Sequence, residues 1–559
     1  MDLSKFKVKQ MQRQASKKKM VIPDGVAFDL KNLIVVSTSE FAAGSAYTCT
    51  LAPKTGYYLP QVISVGGTNS AYGFKYDYTT GVVYIPSDEV IGNIVIAAEA
   101  SKTETNVPAV FEVTKITATT YDGTTEYADE TFILLDIYPC RGSTVTVKFK
   151  GNENGEEVIK TVTGDLATEQ YETGTPCTIF FGTYLGQTEE TTSASGVIEI
   201  SGAYEGYGAG TYEKYNSKGN NVGYAGGEIT KITEIGCPRY FGPYAFSANG
   251  FSALDIGNKL NEGLEKINDY VFYKRTGFQF EKLPDVVYIG EDAFAGTDVN
   301  FTKIPDTVEK IGTNAFLGCP NFIGPCEMPN NPVELSSCMF NAISFEELGL
   351  TPIKGVIFPK NFDAVVSDVP EIETPSQQIV YAVAFSKELE TVSVAEENPR
   401  YHSVDDAIMV ETASNTLVFG GNKADGMELP PYIEFVENYA FSFRSGLYTI
   451  GLGNVSAIGE MAFYGCENLQ SVVIPASVVS IGKGAFAVCS ALATVTVEAE
   501  TPPALDITTE EDGTVSGLPF SESEDNAFAA IYVPKGCGDT YKAAAGWCEY
   551  ADKIVEVTE

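Results

Sequence analysis

The sequence predicts a mostly β protein: a β-sandwich at the N-terminus, a second β-domain, and then a repeat solenoid with a C-terminal cap. Short stretches with apolar residues at alternate positions fill the first hundred residues, and further strand-like stretches follow them. In the second half of the chain, a Phe recurs at intervals of 22 or 23 residues, which is typical of stacked structural repeats. Each repeat is too short to bury its own apolar face, so neighbouring repeats must stack.

Composition limits the functions that the chain can have. With 559 residues, 44% of them hydrophobic, the chain is long enough for several folded domains. It carries 37 Lys and Arg against 74 Asp and Glu, a formal net charge of -37, so we expect no nucleic-acid partner. The 11 Cys are odd in number and lack CxxC spacing, which argues against a disulfide framework and a zinc site. We expect most of them to be reduced thiols in the core.

The first segment, residues 1–22, is a basic arm ahead of an acidic body. Two interpretations remain open: a solvated tail, or a docking peptide that orders against an acidic surface of a larger assembly. The arm has no apolar run of the secretory kind, and no later stretch is apolar enough to span a membrane, so we expect a cytosolic chain without membrane insertion. The candidate attachment residues are Lys5, Lys7, Lys9, Arg13, Lys17, Lys18 and Lys19.

Residues 23–101 show the period-two alternation of an antiparallel sandwich, in the stretches from Phe28 to Val36, QVISV, GVVYIP and GNIVIAA. The stretches SAYTCTLAPKTGYYLP, YDYTTGVVYIP and GNIVIAAEA resemble small immunoglobulin-like modules of bacteriophage tail and head proteins and of some bacterial surface proteins. This resemblance implies an immunoglobulin-like β-sandwich.

Residues 102–228 form the predicted second β-domain, with the strand-like stretches FEVTKITATTY, TVTVKFKG, CTIFFGTY and GVIEISG. The last part, YEGYGAGTYEKYNSKGNNVGYAGG, combines rigid aromatic rings with a flexible backbone, which favours contact with a partner. The alternative is an inter-domain loop whose rings cover neighbouring strands. The candidate partner-binding residues are Tyr204, Tyr207, Tyr212, Tyr215 and Tyr224.

The repeats occupy residues 229–500, and residues 501–559 are the predicted cap, in which Trp547 covers the last coil. We expect Pro475 to close the strand of its repeat and Gly482 to permit a tight corner. A Phe fills the interior of each turn, and a Cys three residues after it behaves as a small buried hydrophobe. The predicted repeat core contains Phe294, Phe316, Phe441, Phe463, Phe486, Cys319, Cys466 and Cys489.

The stretch IGEMAFYGCENLQSVVIPASVVSIGKGAFAVCSALATVTV looks like the BspA-like leucine-rich repeat family. ENPRYHSVDDAIMVETASNTLVFGGNKADGMELPPYIEFVENYAF resembles the family's insertion-bearing repeat, and IYVPKGCGDTYKAAAGWCEYADKIVEV resembles its C-terminal closing segment. The resemblance implies a right-handed coil of parallel strands with a role in adhesion or recognition, usually on a bacterial surface. Repeat spacing is irregular around Phe246, Phe272 and Phe340, and an acidic insertion precedes Phe385, so we expect bulges there.

No motif of the sequence carries catalytic chemistry. His402 is the only His, and no nucleophile elbow accompanies it, so we expect it to be structural. The acidic runs ENGEE, EEDG and SESEDN lack the ligand offsets of a calcium-binding loop, and no stretch matches a phosphate-binding loop. We therefore predict no catalytic residue, no metal ligand and no cofactor.

These observations predict a non-enzymatic virion protein, namely a phage head decoration, head fibre or tail protein, whose repeats bind host-cell or mucus glycans and proteins. In that hypothesis the basic arm attaches the chain to other virion proteins, assembly takes place in the host cytoplasm, and homo-oligomer formation stays open. Two alternatives remain: a BspA-like adhesin on a bacterial cell surface, and a polysaccharide-degrading enzyme that is targeted by the repeats and carried by residues 102–228.

Overall fold

The computed structural model describes the chain from residue 25 to residue 557, with gaps. Strands account for 42% of the structure and helices for 5%, so the predicted mostly β class is confirmed. The described residues divide into two compact units. The first comprises the described residues up to Gly277 together with Pro284–Val287, and the second comprises Lys282, Leu283 and the described chain from Tyr288 onward. The structure does not describe residues 1–24, 62, 70–72, 102–106, 141, 165–175, 190, 213–223, 251, 257–259, 261–262, 278–281, 338, 341–352, 367–371, 384–385, 511–513, 521–527 and 558–559.

Two facing sheets enclose the core of the N-terminal module. Its strands are β1 (Val26–Lys31), β2 (Leu33–Thr38), β3 (Tyr47–Pro53), β4 (Ser64–Thr68), β5 (Lys75–Asp77), β6 (Val82–Ile85) and β7 (Val90–Glu99). One sheet has the order β1-β7-β4 and the other β2-β3-β6-β5, and their inward side chains form one hydrophobic cluster. The module is not wholly antiparallel as predicted, because β1 runs parallel to β7 before the chain turns at Asn32 into the other sheet.

Two further sheets follow in the first unit. Their strands are β8 (Ala109–Thr114), β9 (Ile116–Tyr121), β10 (Glu126–Pro139), β11 (Thr144–Gly151), β12 (Glu157–Thr163), β13 (Cys177–Tyr184), β14 (Gln187–Thr188), β15 (Ser195–Gly202), β16 (Tyr204–Ala209), β17 (Thr211–Tyr212), β18 (Tyr224–Ala225) and β19 (Glu228–Ile235). An antiparallel sheet has the order β12-β11-β15-β8-β19, and β14-β13-β10-β16 form another in which β9 also pairs with β10. β17 and β18 pair with each other.

Parallel stacking begins at the end of the first unit, in short strands that follow one another along the chain. These strands are β20 (Tyr240–Phe241), β21 (Ser252–Ala253), β22 (Lys266–Ile267) and β23 (Arg275–Thr276). β20 pairs with β16 and β22 with β20, while β21 pairs with β23, and all three pairs are parallel. The stacking therefore starts on a strand of the preceding sheet, in the segment to which the sequence assigns the repeats.

The second unit contains several series of short parallel strands. Its elements are β24 (Tyr288–Ile289), β25 (Lys310–Ile311), β26 (Cys326–Glu327), β27 (Pro332–Leu335), β28 (Gly355–Phe358), β29 (Asp363–Val365), α1 (Pro375–Val383), β30 (Thr391–Val394), β31 (Tyr401–Val404), β32 (Ile408–Glu411), β33 (Thr416–Gly420), a 3-10 turn (Asn422–Ala424), β34 (Phe435–Val436), β35 (Ala457–Ile458), β36 (Ser471–Ile474), β37 (Ser480–Ile481), β38 (Thr494–Val497), β39 (Ala504–Leu505), β40 (Thr508–Thr509), β41 (Val515–Ser516), β42 (Ala530–Val533), α2 (Gly538–Ala543), a second 3-10 turn (Trp547–Tyr550) and β43 (Ile554–Glu556).

Strand pairing in the second unit follows the repeat period. On one side, β24-β25-β27-β29 and β33-β34-β35-β37-β39 are parallel series; on the other, β26-β28-β30 and β36-β38-β42-β43 are parallel series. The antiparallel strands β31 and β32 interrupt the pattern, as does α1. The insertion before Phe385 is thus partly helical instead of a loop, because Thr374 and Gln377 bond reciprocally as a capping box at the start of α1.

The repeated Phe side chains lie in columns inside the second unit, and all five Phe of the predicted core are buried. The ring of Phe463 stacks on Phe441 at 5.1 Å and on Phe486 at 4.9 Å, with interplanar angles of 8° and 2°. Phe294 and Phe316 stack at 5.6 Å in the same way. The spacings in the column of Phe441, Phe463 and Phe486 are close to the distance between neighbouring strands, so the backbone register sets the ring stacking there.

Glycines after the short strands allow the coils to approach each other. A Cβ at Gly482 would lie 2.4 Å from the backbone nitrogen of Glu460, and a Cβ at Gly312 would lie at the same distance from that of Glu291. Gly482 has no left-handed backbone conformation, so the predicted tight corner is not its role. Its role is close contact with the coil before it.

The Cys residues of the repeats are hydrogen-bond donors as well as small core residues. Cys466 Sγ donates to the carbonyl of Phe441, and Cys489 Sγ donates to the carbonyl of Phe463, each at 3.1 Å. The prediction of a purely hydrophobic role is therefore incomplete. Cys319 makes the same bond to Phe294, and burial raises the pKa of its thiol to about 12, so the donor proton is retained at neutral pH.

Arg444 occupies the same position of its repeat, three residues after Phe441, and it is also buried. Its Nε donates to the carbonyl of Gly420 at 2.6 Å, and its Nη1 donates to those of Ser386 and Ser442. Burial lowers the pKa of this guanidinium to about 10. Arg444, whose side chain is longer than that of Cys, thus donates hydrogen bonds to backbone carbonyls in the interior of the coils.

The C-terminal cap closes the last coil through aromatic side chains. Trp547 is fully buried, as the sequence predicts, and its Nε1 donates to the carbonyl of Pro503 at 2.7 Å. Tyr541 donates to the carbonyl of Ala499, and its ring packs on the indole at 5.1 Å. Phe520 stacks on Phe486, so the Phe column continues into the cap.

Replacing Phe463 with Ala is expected to lower the free energy of unfolding by about 3–5 kcal/mol, because it empties a site between two stacked rings. Urea-induced unfolding measures this effect. The control is Val479→Ala at a side chain that is 66% exposed, where the change should stay within about 0.5 kcal/mol. If Phe463→Ala and Val479→Ala lost equal free energies of unfolding, the stacked Phe rings would not have the stabilising role described.

Val488→Gly is expected to stabilise the protein by about 1 kcal/mol, because a β-branched residue is strained at φ 61°. Gly296, Gly318 and Gly465 occupy this position in other repeats, all at positive φ. The matched control is Val479→Gly, where φ is not left-handed and Gly should instead lower stability. Thermal unfolding distinguishes the two variants. A melting temperature of Val488→Gly below that of wild type would show that Val488 is not strained.

Candidate functional site

The outward face of the sheet β36-β38-β42-β43 is the candidate binding surface. Side chains of a strand alternate between core and solvent. Val472, Val495 and Ile531 point inward and are buried, so the residues that follow them point outward. Parallel pairing places these outward residues side by side. We call them the outer row: Val473, Thr496, Tyr532 and Val555.

The outer row carries no charge, although the chain has a net charge of -37. Val473 and Val555 are 46% and 44% exposed, and Thr496 and Tyr532 are half-buried. The row therefore combines apolar groups with two hydroxyls and one aromatic ring. Such a surface can bind a neutral glycan or an uncharged area of a protein without removing water from an ionised group.

The corresponding outward row of β26-β28-β30 consists of Glu327, Ile357 and Ser393, and charged pairs lie at and beside it. Lys303 and Glu327 lie side by side in neighbouring coils with 2.8 Å between Nζ and Oε1, and Lys354 and Glu390 are 2.7 Å apart. These ion pairs are exposed and hydrated, and such pairs contribute little to stability. The uncharged outer row distinguishes the C-terminal part of the second unit.

An exposed tyrosine lies one coil before β36, opposite the residue that precedes this strand. The backbone N–H of Gln470 donates to the carbonyl of Tyr448, which places the two residues in adjacent coils. The Tyr448 backbone is fixed by the Asp425 carboxylate, which accepts its N–H at 2.8 Å, and its side chain is 45% exposed. Aromatic side chains are frequent hot spots of binding surfaces, so Tyr448 extends the candidate surface.

The predicted partner-binding role of Tyr204 and Tyr207 is wrong, because both side chains are buried. Tyr207 Oη donates to the carbonyl of Ile235 at 2.8 Å, and the Tyr204 ring packs against the Tyr207 ring. Burial raises the pKa of both phenols. Their strand, β16, lies between β10 and β20 and faces a core. The alternative interpretation, rings that cover neighbouring strands, describes them better.

Other predicted site residues lie outside the description or are described only in part. Tyr212 and Tyr224 pair through their backbones in β17 and β18, and Tyr215 lies outside the described residues. The seven basic residues of the arm also lie outside the described residues, namely Lys5, Lys7, Lys9, Arg13, Lys17, Lys18 and Lys19. Their attachment role stays a prediction.

His402 lies on the antiparallel strand β31 with two hydroxyl neighbours. Its Nδ1 is 3.0 Å from Thr412 Oγ1, and its Nε2 is 3.1 Å from Tyr432 Oη. Partial burial lowers the pKa of the imidazole. In the part of the chain that the structure describes, no three His, Cys, Asp or Glu side chains come together in a way that could hold a metal ion. None of the helices described there is long and apolar enough to cross a membrane.

Part of the outer row could have been predicted from the sequence, although the repeat was defined by its buried residues alone. Val473 and Thr496 follow the buried Val472 and Val495 and are 23 residues apart, which is one repeat. An in-register repeat necessarily aligns its outward residues as well as its inward ones. Tyr532 could not be added in this way, because the spacing of 36 residues between Thr496 and Tyr532 departs from the period.

Comparison with protein families gives one match. The BspA type leucine rich repeat region matches six copies, at residues 224–323 and 415–502. The interval between these segments contains α1 and the antiparallel strands β31 and β32, which interrupt the repeat pattern. A comparison with curated proteins gives no match.

Three solved structures are similar to parts of this chain. A leucine-rich repeat protein from Eubacterium ventriosum is 19% identical over 62% of this chain and 82% of that chain, with a TM-score of 0.38. The pneumococcal vaccine antigen PcpA is 14% identical over 59% and 85%, with a TM-score of 0.33. A leucine rich cell surface protein from Faecalibacterium prausnitzii is 13% identical over 51% and 93%, with a TM-score of 0.27. The present chain is therefore similar to BspA type leucine-rich repeats over residues 224–323 and 415–502.

Proposed function

We propose that the protein is a non-catalytic adhesin of a bacterial cell surface, which binds a neutral glycan or an uncharged protein surface through the outer row. The observation that carries this proposal is the row itself: four uncharged residues aligned in register, of which Val473 and Thr496 lie within the residues that match BspA type repeats. The surface is built on paired strands, so binding needs little rearrangement of the backbone.

The family match favours this function over the predicted virion role. BspA-type repeats are typical of surface proteins, which fits the adhesin alternative at least as well. No comparison supports attachment to a phage particle. For a polysaccharide-degrading activity, two carboxylates of the described second β-domain are already engaged by backbone N–H groups. Glu130 accepts from Leu185 and Gly186, and Glu156 accepts from Thr192 and Ser193.

The acidic body limits the ligands that the adhesin can bind. A chain with a formal charge of -37 repels sulfated and phosphorylated polymers. Ion pairing cannot supply the affinity at the outer row, so contact of methyl groups and the Tyr532 ring with the ligand must do so. Binding should therefore vary little with salt concentration.

Val473→Glu is expected to weaken binding of the full chain to neutral mucin-type glycans or to host-cell surface proteins by about tenfold or more, about 1.4 kcal/mol. The carboxylate would have to lose water in the bound state. Glycan arrays and surface plasmon resonance with extracted surface proteins measure the change. Val479→Glu is the matched control, because Val479 is an exposed valine of the same repeat that lies outside β36.

Two results would overturn the proposal. One is equal binding by wild type and Val473→Glu while both remain folded. The other is a preference for sulfated over neutral ligands that persists when the salt concentration is raised. Binding lost in Val473→Glu and retained in Val479→Glu supports the outer row as the site.

A further inference from the structure

The outer row repeats at the spacing of the coils. Its four residues lie on β36, β38, β42 and β43, which pair in parallel and in register. Neighbouring strands are about 4.8 Å apart, so the row offers equivalent contacts at that interval, along a line across the strands. A sugar unit of an extended β-1,4-linked glycan is close to this length. One face of an extended peptide repeats only every second residue, about 6.8 Å, so a peptide does not keep register with the row.

A second line of uncharged residues runs beside the outer row on the same face of the sheet. Ser471, Thr494 and Ala530 precede outer-row residues by two positions, and they pair with one another in register. Ser471 is exposed and Thr494 is half-buried. The face thus consists of methyl groups with hydroxyls between them. An extended neutral glycan is complementary to such a face, because its sugar rings present C–H groups on their faces and hydroxyls at their edges.

Gly451 lies one coil beyond Val473 in the direction of the row. Tyr448 and Gln470 are opposite each other in adjacent coils, because the Gln470 N–H donates to the Tyr448 carbonyl. Gly451 and Val473 each follow three residues later, so they are neighbours as well. Gly451 has no left-handed φ, so its backbone conformation does not require a glycine. It leaves a gap in the line of side chains at this end of the row.

The side chain of Glu428 fills this gap from the coil before. Glu428 pairs with Gly451, and a Cβ on Gly451 would overlap the Glu428 carboxylate. This carboxylate is held in place, because its Oε1 accepts the N–H of Gly453 at 3.1 Å. Carboxylates accept strong hydrogen bonds from hydroxyl groups. An oriented acceptor therefore lies next to Val473, where the line of methyl groups begins.

We propose that the ligand of the outer row is an extended, neutral β-1,4-linked glycan that lies across the coils, with one sugar unit at each strand. This specifies the ligand of the adhesin function proposed above and rests on that function. The ring faces of four units contact the four residues of the outer row. The hydroxyls of a fifth unit donate to the Glu428 carboxylate. The straight glycan needs no bend, and the paired strands need no rearrangement.

Isothermal titration calorimetry of the full chain with cello-, manno- and xylo-oligosaccharides of two to eight units tests the proposal. In at least one of the three series, the affinity should rise by about tenfold or more from two units to five and stay level beyond five. Failure of all three series to bind would overturn the proposal. So would an affinity that is already complete at two units, because it indicates a pocket for a terminal sugar.

Val555→Glu tests whether the glycan is aligned with the row, because it places a charge at the last position only. Val555 is 44% exposed. In this variant, the length at which the affinity becomes level should fall from five units to four. Val479→Glu is the matched control, in which it should stay at five. An unchanged length in Val555→Glu would overturn the alignment.

Glu428→Gln tests the fifth contact, because it keeps the size of the side chain and removes its charge. The affinity for chains of five units should fall by about threefold, since a neutral acceptor forms weaker hydrogen bonds with hydroxyls. An unchanged affinity would overturn the assignment of the fifth unit to Glu428.

Failure of this proposal and failure of the adhesin function give different results. If no oligosaccharide binds, but extracted surface proteins bind wild type and not Val473→Glu, the glycan is wrong and the outer row remains the binding surface. If Val473→Glu remains folded and binds every ligand like wild type, the outer row itself is wrong.

Discussion

The parallel register of the coils is the constraint on which the repeat region depends. Each residue of one coil lies against its counterpart in the next at the spacing of neighbouring strands, so residue types that stack on themselves are favoured at the core positions. Phe satisfies this condition, as the rings of Phe441, Phe463 and Phe486 show at centroid distances of 5.1 and 4.9 Å. Gly satisfies it where backbones come closest, as at Gly482. Core and backbone therefore specify the same spacing.

The same register controls the outward residues, because like charges in adjacent coils would repel each other. The chain meets this problem in two ways. In the N-terminal part of the second unit it alternates signs, with Lys310 paired in register to Glu334 at 2.7 Å. In the C-terminal part it places uncharged residues, and the outer row is the result. A strongly acidic protein thus obtains a row of uncharged side chains where its last repeat pairs with the strands of the cap.

Periodicity explains how much could be predicted from the sequence. The Phe positions recur at a constant interval, so their burial follows from the pattern without knowledge of the neighbours. Tyr204 and Tyr207 have no such pattern. Their Gly-rich surroundings favoured a loop. They lie instead on β16, the strand with which the first parallel strand pairs. The position of β16 depends on β10 and β20, which are distant in sequence. The helix α1 was missed for a related reason, because its capping box lies within an insertion that looked like an acidic loop.

The position three residues after each Phe shows that a repeat can conserve an interaction while its residue type changes. Cys466 and Cys489 reach the carbonyl of the Phe in the coil before, and Arg444 reaches interior carbonyls from the same position with a much longer side chain. Thr297 bonds to the carbonyl of Phe294 with its own hydroxyl. The common requirement is a donor for a buried carbonyl, because such a group costs free energy when it is left without a partner. A sequence pattern that treats this position as hydrophobic detects the Cys repeats and misses the Arg repeat, although the coil is built in the same way.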